Sequence, residues 1–568
     1  MKARFLVLGV LLGALTLLTV PASTQQNTII IGTTDGITTL DVADSYDYWT
    51  WHVFQNTSEG LVDFERGTAK VVPHLAQHIA VTGNGTEYWF TLTGVVIHDD
   101  KSDGTCEHTN DVRLRAISPL EQGQDTNQNG FICAHPADNK PKFWDGADFN
   151  ADAVVFSLNR AKKLNGPNGA WEALMYDVVS VEKVDDYTVK IVTKGPDATF
   201  LPRLAGCACA FIMSPKSTPA DKIASGQYAG TGRYKLARWD PDKQTVYESF
   251  PEYWNKAQFP KTPRIITQFF PEGAAPQLAA ALRAGNIDIA FHTLNPEDVL
   301  ALEKDPNVNV IRGESLNIRY LVINVTRPPF DDVRVRKAIA LAVDRDKIVK
   351  QVFLGINEPL YSMVPPGFKD AYIKAMPDRN VAEARKLLEE YLKEKGLNPP
   401  LRIKFTATTR YGDTERDVAL IVARALEETG IFRVEIEILE RVTFFQRLGA
   451  GQMDFFALGW FPDFIDPDNF LGPWLVDEPE GMGTFFNHHP AFAEYKALFD
   501  KARSLVDPAK YAERMAIYKQ IQQLVARDVP LVPLWLNKLQ NIIATRKNIS
   551  GAEIDASAIL RTWLLEKK

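Results

Sequence analysis

One polar stretch of the chain contains side-chain oxygens at every second position. Asp125, Asn127 and Asn129 precede Gly130, an order that begins a calcium loop, where alternating oxygens face one ion and glycine makes the turn. The twelfth position, a bidentate glutamate in such loops, is Pro136. An Asx-rich turn without an ion accounts for the same residues, so calcium at Asp125, Asn127 and Asn129 is one of two hypotheses.

The known catalytic signatures are missing from the sequence. It contains no Gly-x-Ser-x-Gly elbow, no phosphate loop ending in Lys-Ser/Thr and no His-Glu-x-x-His helix. The Gly230-Thr231-Gly232 stretch begins like a dinucleotide loop but continues Arg-Tyr-Lys, which favours a turn before a strand. His488 and His489 are adjacent and lack other candidate ligands nearby, which favours a solvated loop over a metal site. We therefore expect no enzyme activity and no cofactor, apart from the calcium hypothesis.

Four cysteines, Cys106, Cys133, Cys207 and Cys209, indicate an oxidising compartment and allow three pairings. Their spacing lacks the paired Cys-x-x-Cys or histidine pattern of a zinc site. Cys106 and Cys133 share one polar stretch, so a local bridge between them is the preferred pairing. The pairing of Cys207 and Cys209 stays open.

The amino-terminal residues read as an export signal. Lys2 and Arg4 precede an apolar stretch from Phe5 to Val20, and Ala22 follows Pro21, which places small residues where a signal peptidase needs them. We expect residues 1–22 to be a cleaved signal peptide, because the stretch is short for a membrane anchor. No cysteine follows it directly, so we expect no lipid anchor and a periplasmic or extracellular protein.

Composition narrows the classes of protein further. The 568 residues are 45% hydrophobic and 24% charged, with a net charge of -7, as in ordinary folded proteins. This acidic balance disfavours nucleic acid and anionic membranes as partners. We expect a monomer of several domains or one large lobed fold.

Hydrophobic periodicity predicts an α/β fold. Strand-like segments are Thr28 to Gly32, Tyr187 to Thr193, Arg264 to Phe270, Tyr320 to Val325, Leu401 to Thr406 and Val434 to Leu439. Amphipathic helices are predicted at Ala151 to Leu164, Ala274 to Ala284, Val333 to Phe353, Val381 to Lys395, Thr414 to Thr429 and Pro508 to Ala526. The polar stretch 98–142 interrupts this alternation and is predicted to be a surface insertion.

Six stretches, in order, resemble the family 5 extracellular solute-binding proteins of ABC transporters, which include dipeptide- and oligopeptide-binding proteins. They are Glu59 to Val62, Trp144 to Gly146 with Asp152 to Arg160, Gly230 to Tyr234, Ala281 to Asp288, Pro328 to Ala338, and Gly459-Trp460 with Asp466 to Phe470. Arg233 stands where this family usually has proline, and the insertion at 98–142 is not general in it.

The resemblance implies a two-lobed, type II periplasmic-binding-protein-like fold with three domains and a hinge. Domain I would combine residues 23–62, 205–290 and 540–568. Domain II would be 63–204, including the insertion, and domain III 291–539. The ligand would lie in the cleft between lobes that close around it.

The resemblance also implies ligand-binding residues. Asp463, shortly after Gly459-Trp460, would hold a peptide's α-ammonium, and Arg410, in a strand-to-helix turn, its carboxylate. A zwitterion leaving water needs such opposite charges at its two ends. Either side chain could instead be a surface charge.

Two further regions could line the cleft. The backbone from Gly459 through Trp460 to Phe461 could hydrogen-bond an extended peptide as a strand would. Tyr48 and Trp49, with Trp51, could offer aromatic area to varied ligands. Core packing is the competing interpretation of these aromatic residues.

We therefore expect a receptor that binds small peptides, from di- to tetrapeptides, and delivers them to the permease subunits of an ABC importer. The same fold could carry an oligosaccharide, an opine, a nickel chelate or haem. From other classes, a hydrolase or a chaperone-like peptide binder would use the same cleft.

Overall fold

The structure is a computed structural model that describes residues 27–99, 106, 112–115, 131–409, 414–477, 482–554 and 559–568. The predicted signal peptide, Arg410 and the three predicted calcium ligands lie outside these residues. Strands and helices alternate along the chain, which confirms the α/β class. In the part of the chain described, no helix combines the length and the apolar character needed to cross a membrane.

The strands vary from short bridges to eight-residue segments. In the first half of the chain they are β1 (Thr28–Thr33), β2 (Val62–Phe64), β3 (Val71–Pro73), β4 (Ala76–Thr82), β5 (Glu87–Leu92), β6 (Val95–Asp99), β7 (Val112–Arg115), β8 (Phe131–Pro136), β9 (Val178–Lys183), β10 (Thr188–Thr193), β11 (Tyr234–Asp240), β12 (Gln244–Ser249) and β13 (Arg264–Phe269). They continue as β14 (Ile289–Phe291), β15 (Val308–Arg312), β16 (Ile318–Ile323), β17 (Glu358–Pro359), β18 (Leu401–Thr408), β19 (Phe432–Leu439), β20 (Phe455–Trp460), β21 (Leu531–Leu536), β22 (Ile542–Arg546), β23 (Ile549–Ser550) and β24 (Glu566–Lys567).

The helices pack against these sheets. They are α1 (Tyr48–Thr57), α2 (Ala151–Leu164), α3 (Trp171–Leu174), α4 (Phe200–Gly206), α5 (Ala275–Ala284), α6 (Pro296–Leu302), α7 (Val333–Ala342), α8 (Arg345–Gln351), α9 (Val381–Lys395), α10 (Thr414–Glu427), α11 (Arg441–Gly449), α12 (Phe492–Ser504) and α13 (Tyr511–Asp528). Asn150 caps α2 by accepting a hydrogen bond from the backbone N–H of Ala153 at 3.0 Å, as helix starts require.

The first sheet combines strands from distant parts of the chain. It has seven strands in the order β11-β12-β13-β1-β14-β22-β15. Strand β1 runs parallel to both β13 and β14, and apolar side chains cover both faces of the sheet. Since β15 extends this sheet to Arg312, the boundary predicted at residue 290 is too early. The missed strand is short and half-buried, so its sequence pattern is weak.

A second, four-stranded sheet has the order β4-β5-β10-β9 and packs on α2. At the predicted insertion, β6, which begins three residues before it, β8 and β7 form a small antiparallel sheet of their own. The predicted Cys106–Cys133 disulfide is present there and closes a segment with a sequence separation of 27. Cys207 and Cys209 form the other bridge, in the buried turn after α4.

The third sheet has six strands in the order β17-β21-β16-β20-β18-β19. Its central strands β16 and β21 are buried along their whole length, which explains their nearly continuous apolar sequences. The single helix predicted from Val333 to Phe353 is wrong, because the chain forms α7 and α8 instead. Asp344 starts α8 by accepting a hydrogen bond from the backbone N–H of Lys347 at 2.9 Å.

Two chain crossings connect the first and third sheets, between β15 and β16 and between β21 and β22. They run side by side: the backbone N–H of Asn537 donates to the carbonyl of Asn317 at 2.8 Å, and that of Gly313 to the carbonyl of Asn541 at 2.7 Å. The side-chain amide of Asn317 also donates to Oδ1 of Asn541 at 3.1 Å. A paired crossing of this kind suits the predicted hinge, since few residues need to change conformation.

Glu59, the first residue of the resemblance motifs, is a buried carboxylate that connects segments far apart in the chain. It accepts hydrogen bonds from Thr231 Oγ1 and Tyr253 Oη, both at 2.8 Å, and from Trp254 Nε1 at 3.1 Å. His74 Nε2 lies 2.9 Å from Oε1 of Glu59, the oxygen that also accepts from Tyr253. The Gly230-Thr231-Gly232 turn therefore serves this network, as the turn interpretation expected, and strand β11 follows it.

Glu59 should make the protein sensitive to acid. Burial alone would raise the pKa of Glu59, but the charges of His74 and Arg233 and the hydrogen bonds hold it at about 2, below its ordinary 4.5. A depressed pKa stabilises the folded state fully above the unfolded pKa, and that contribution disappears as the pH falls from 4.5 toward 2. The shift corresponds to about 3 kcal/mol.

We expect Glu59→Gln to lose most of this contribution at neutral pH and to show a flatter decline between pH 4.5 and 2. Urea unfolding at a series of pH values measures it. Glu172→Gln, which removes an exposed carboxylate, is the control. Parallel pH profiles for parent and Glu59→Gln would contradict the assignment.

Candidate functional site

The loop after β20 contains most of the residues that the resemblance implies. Gly459 and Trp460 end the strand, and Phe461 and Asp463 follow it, all partly buried. Strand β18 runs parallel to β20 and pairs with it through Thr406 and Phe456. Because the carboxyl ends of parallel strands meet at one edge, the segments after both strands begin on the same side of the sheet.

Asp463 is held in place by Asn469. The backbone N–H of Asp463 donates to Asn469 Oδ1 at 2.9 Å, and Asn469 Nδ2 donates to Asp463 Oδ2 at 3.1 Å. Trp460 Nε1 donates to the same Asn469 oxygen at 3.0 Å. One buried amide therefore orients both the carboxylate and the indole of the loop, which fixes the place of a negative charge.

The nearby aspartates have structural partners. Asp466 forms a two-pronged ion pair with Arg514, at 2.8 and 2.7 Å. Asp468 pairs with Arg503 and accepts a hydrogen bond from Tyr518 Oη at 2.7 Å. These ion pairs hold the loop against helices α12 and α13, which gives both aspartates a structural role.

The same loop follows a strand of the third sheet and touches α4, which belongs to the other lobe. A Cβ at Gly206, the last residue of α4, would lie 2.2 Å from the carbonyl oxygen of Asp463 and 3.0 Å from Cα of Phe464. The Phe464 side chain is buried in the hydrophobic core of the second sheet. A glycine is thus required here for the backbone to approach, and Asp463 lies where the lobes meet.

The aromatic residues of the first lobe separate into two environments. Tyr48 is half-buried, and its ring lies 5.8 Å from that of Phe461 across the lobes. Trp49 is 1% exposed and packs against His52 and Phe291 in the core of the first sheet. Trp49 is therefore a core residue and does not line the cleft, in contrast to the prediction. The reason is that neighbouring helix residues face different sides.

Two residues that the sequence analysis missed lie beside Tyr48. His292 follows β14 directly and Asp35 follows β1, so the parallel pairing of these strands brings them together. His292 Nδ1 lies 2.5 Å from Asp35 Oδ2, within hydrogen-bonding distance. The His292 ring stacks on Tyr48 with centroids 4.3 Å apart and lies 5.7 Å from Phe461.

Arg410 lies outside the described residues, between β18 and α10. A charged pair involves the helix that follows in the sequence: Arg319 Nη2 of β16 lies 3.7 Å from Glu415 Oε1 in the first turn of α10, and both are buried. Burial raises the pKa of Glu415, against the opposing charge of Arg319. Arg319 also packs under Gly459, where a Cβ would lie 2.5 Å from Nη1.

The histidine pair at 488–489 lines a pocket beside the start of α7, together with Arg334 and Arg527. His488 is exposed, and His489 Nδ1 accepts a hydrogen bond from the backbone N–H of Ala491 at 3.2 Å. No group of three or more potential metal-ligating side chains is found among the described residues. The calcium hypothesis at Asp125, Asn127 and Asn129 concerns residues outside that set.

No local pattern marked His292, Asp35 or Asn469 as part of the site. His292 and Asp35 are 257 residues apart, and the resemblance implied no ligand role for Asn469, which lies within the stretch Asp466 to Phe470. The one available signal was position, since polar residues directly after buried parallel strands gather at one sheet edge.

Comparisons with known proteins agree with this architecture. Residues 140–482, more than half of the chain, match the bacterial extracellular solute-binding proteins, family 5, middle region. The dipeptide-binding protein of Escherichia coli is 26% identical over 98% of this chain and 96% of its own length. Heme-binding protein A of Haemophilus influenzae is 27% identical, with 84% and 81% covered.

A solved structure supports the fold. The periplasmic binding protein DppA of Helicobacter pylori, in complex with the peptide STSA, superposes with a TM-score of 0.73 at 22% identity, covering 96% of this chain and 99% of that one. This similarity confirms the predicted two-lobed type II fold. Members of the matched family bind solutes outside the cytoplasm. The chain belongs to the family 5 bacterial extracellular solute-binding proteins.

Proposed function

We propose that the protein is the extracytoplasmic receptor of an ABC importer and that it binds small peptides, from di- to tetrapeptides, in the cleft between its lobes. The observation that carries the proposal is the position of Asp463. Asn469 orients its carboxylate, and the missing side chain of Gly206 lets its backbone approach at the junction of the lobes. A carboxylate at that position suits the ammonium group of a peptide. The names of the dipeptide-binding relative and of the peptide complex point the same way.

In this proposal Arg410 receives the peptide carboxylate, while the end of β20 and the ring of Tyr48 flank the ligand. The backbone from Gly459 to Phe461, at and after the end of β20, hydrogen-bonds the peptide main chain as a strand would, which tolerates varied side chains. The receptor acts as a monomer, needs no cofactor for binding, and delivers the peptide to permease subunits without chemical change.

Mass spectrometry of small molecules released by denaturing the purified protein tests the ligand class. We expect peptides of two to four residues, and calorimetry should then show that trialanine binds. Release of haem, to which the Haemophilus relative owes its name, would overturn the peptide assignment. So would release of an oligosaccharide, an opine or a nickel chelate.

Two controls address the other classes. Incubation of the protein with trialanine should leave the peptide intact, whereas cleavage would indicate a hydrolase. Long unfolded segments should bind no better than trialanine, and tighter binding of them would indicate a chaperone-like protein.

A further inference from the structure

We propose that His292 is a ligand-binding residue whose Nε2 accepts a hydrogen bond from an N–H group at the amino-terminal end of the bound peptide. The inference rests on the proposed function, since it assigns a ligand group to a residue of the same cleft. It adds a contact from the first lobe that faces the Asp463 loop of the other lobe.

The hydrogen bond to Asp35 determines the chemistry of the ring. An ionised carboxylate only accepts hydrogen bonds, so Nδ1 of His292 carries the proton that Asp35 Oδ2 receives at 2.5 Å. In the neutral ring, Nε2 is then an acceptor. Asp35 acts as a positioning residue, because it fixes both the tautomer and the orientation of the imidazole.

Nε2 is buried and has no hydrogen-bond partner among the residues that the structure describes. His292 as a whole is 4% exposed. A buried polar atom without a partner is costly and uncommon in folded proteins. A ligand that enters between the lobes would supply that partner.

The surroundings of the ring place it at the cleft. Tyr48 covers one face of the imidazole at 4.3 Å, with only 13° between the ring planes. Phe461, two residues before Asp463, approaches from the opposite lobe at 5.7 Å. His292 therefore lies near the carboxylate proposed for the peptide ammonium, and its acceptor nitrogen would complement that end of the ligand.

The backbone of His292 is strained. Its φ of 89° is in the left-handed region, which residues other than glycine seldom adopt. Strained backbone of this kind is retained where the surrounding structure requires one side-chain position, often at binding sites. In His292 this conformation accompanies the contacts of the imidazole with Asp35 and Tyr48.

Calorimetry on parent and His292→Phe tests the contact, because phenylalanine keeps an aromatic ring beside Tyr48 and removes Nε2. The probes are trialanine, N-acetyl-trialanine, which lacks the ammonium, and trialanine methylated on its first amide nitrogen. We expect His292→Phe to bind trialanine roughly 5- to 150-fold more weakly, since a ligand N–H loses its partner.

The three probes identify the N–H group. If Nε2 accepts from the ammonium, acetylation of the peptide should reduce the affinity of His292→Phe at least fivefold less than it reduces the affinity of the parent. If it accepts from the amide, methylation should show that difference. If each modification reduced the affinity of parent and variant by the same factor, the inference would be overturned.

Two variants separate binding from folding. His292→Asn tolerates a positive φ but is too short to place an acceptor at the same point, so it should reproduce the loss of affinity with a near-parental thermal midpoint. His78→Phe makes the same exchange on β4 and should bind trialanine like the parent.

The outcomes also distinguish this inference from the proposed function. Full affinity of both His292 variants for trialanine would overturn the role of His292 alone. A parent that does not bind trialanine would overturn the proposed function, and the inference with it.

Discussion

Asp463→Ala is expected to weaken peptide binding by roughly 30- to several-thousand-fold. The cause is that closing the lobes would remove the peptide ammonium from water, and losing one partner of a buried charge pair typically costs about 2–5 kcal/mol. Asp463→Asn should lose nearly as much, because it keeps the size of the side chain but not its charge. Calorimetry with trialanine measures both variants.

The same contact should be visible from the ligand side. N-acetyl-trialanine should bind the parent poorly, and it should differ much less from trialanine on Asp463→Ala, because two changes to one contact are not additive. Asp500→Ala, which removes an exposed carboxylate from α12, should behave like the parent. If the losses from acetylation and from Asp463→Ala simply add, Asp463 does not hold the ammonium.

Gly206→Val is expected to weaken peptide binding by about 5- to 150-fold through a different cause, the obstruction of lobe closure. The first added atom would already lie 2.2 Å from the carbonyl oxygen of Asp463. The opposing atoms are backbone, which cannot rotate away as a side chain would. Overpacking of a tight contact commonly costs about 1–3 kcal/mol, and here the lobes can relieve it by staying apart.

Small-angle X-ray scattering with saturating trialanine should show a larger radius of gyration for Gly206→Val than for the parent. Far-UV circular dichroism should be unchanged, because the residue lies at the end of α4. Gly195→Val is the matched control, since a Cβ at Gly195 would meet no atom within 4 Å. Parental affinity and compaction in Gly206→Val would show that this contact does not limit closure.

Local patterns were sufficient for many individual elements. Helices α2 and α9 begin and end as predicted, because their apolar spacing and Asn caps are properties of neighbouring residues. The Cys106–Cys133 bridge was also predicted, since both cysteines belong to one short stretch. Resemblance motifs, not periodicity, indicated the loop that contains Asp463.

Local patterns did not predict elements whose bounds or pairing depend on distant segments of the chain. The helix predicted from Val333 to Phe353 is divided, because Asp344 caps a new helix and the backbone N–H of Asn380 donates to the carbonyl of Leu341 at 2.8 Å. Strand β15 was missed because its place depends on pairing with β22, more than 200 residues later in the chain.

The sequence by itself determined the α/β class, the family and the loop that contains Asp463, because these depend on periodicity and on motifs of adjacent residues. Only the tertiary structure decided that Trp49 is core while Tyr48 faces Phe461, and that His292 meets Asp35. The physical reason is that helix rotation and the parallel pairing of β1 with β14 set these contacts. Both depend on packing between segments that are far apart in the chain, which no local pattern of residues encodes.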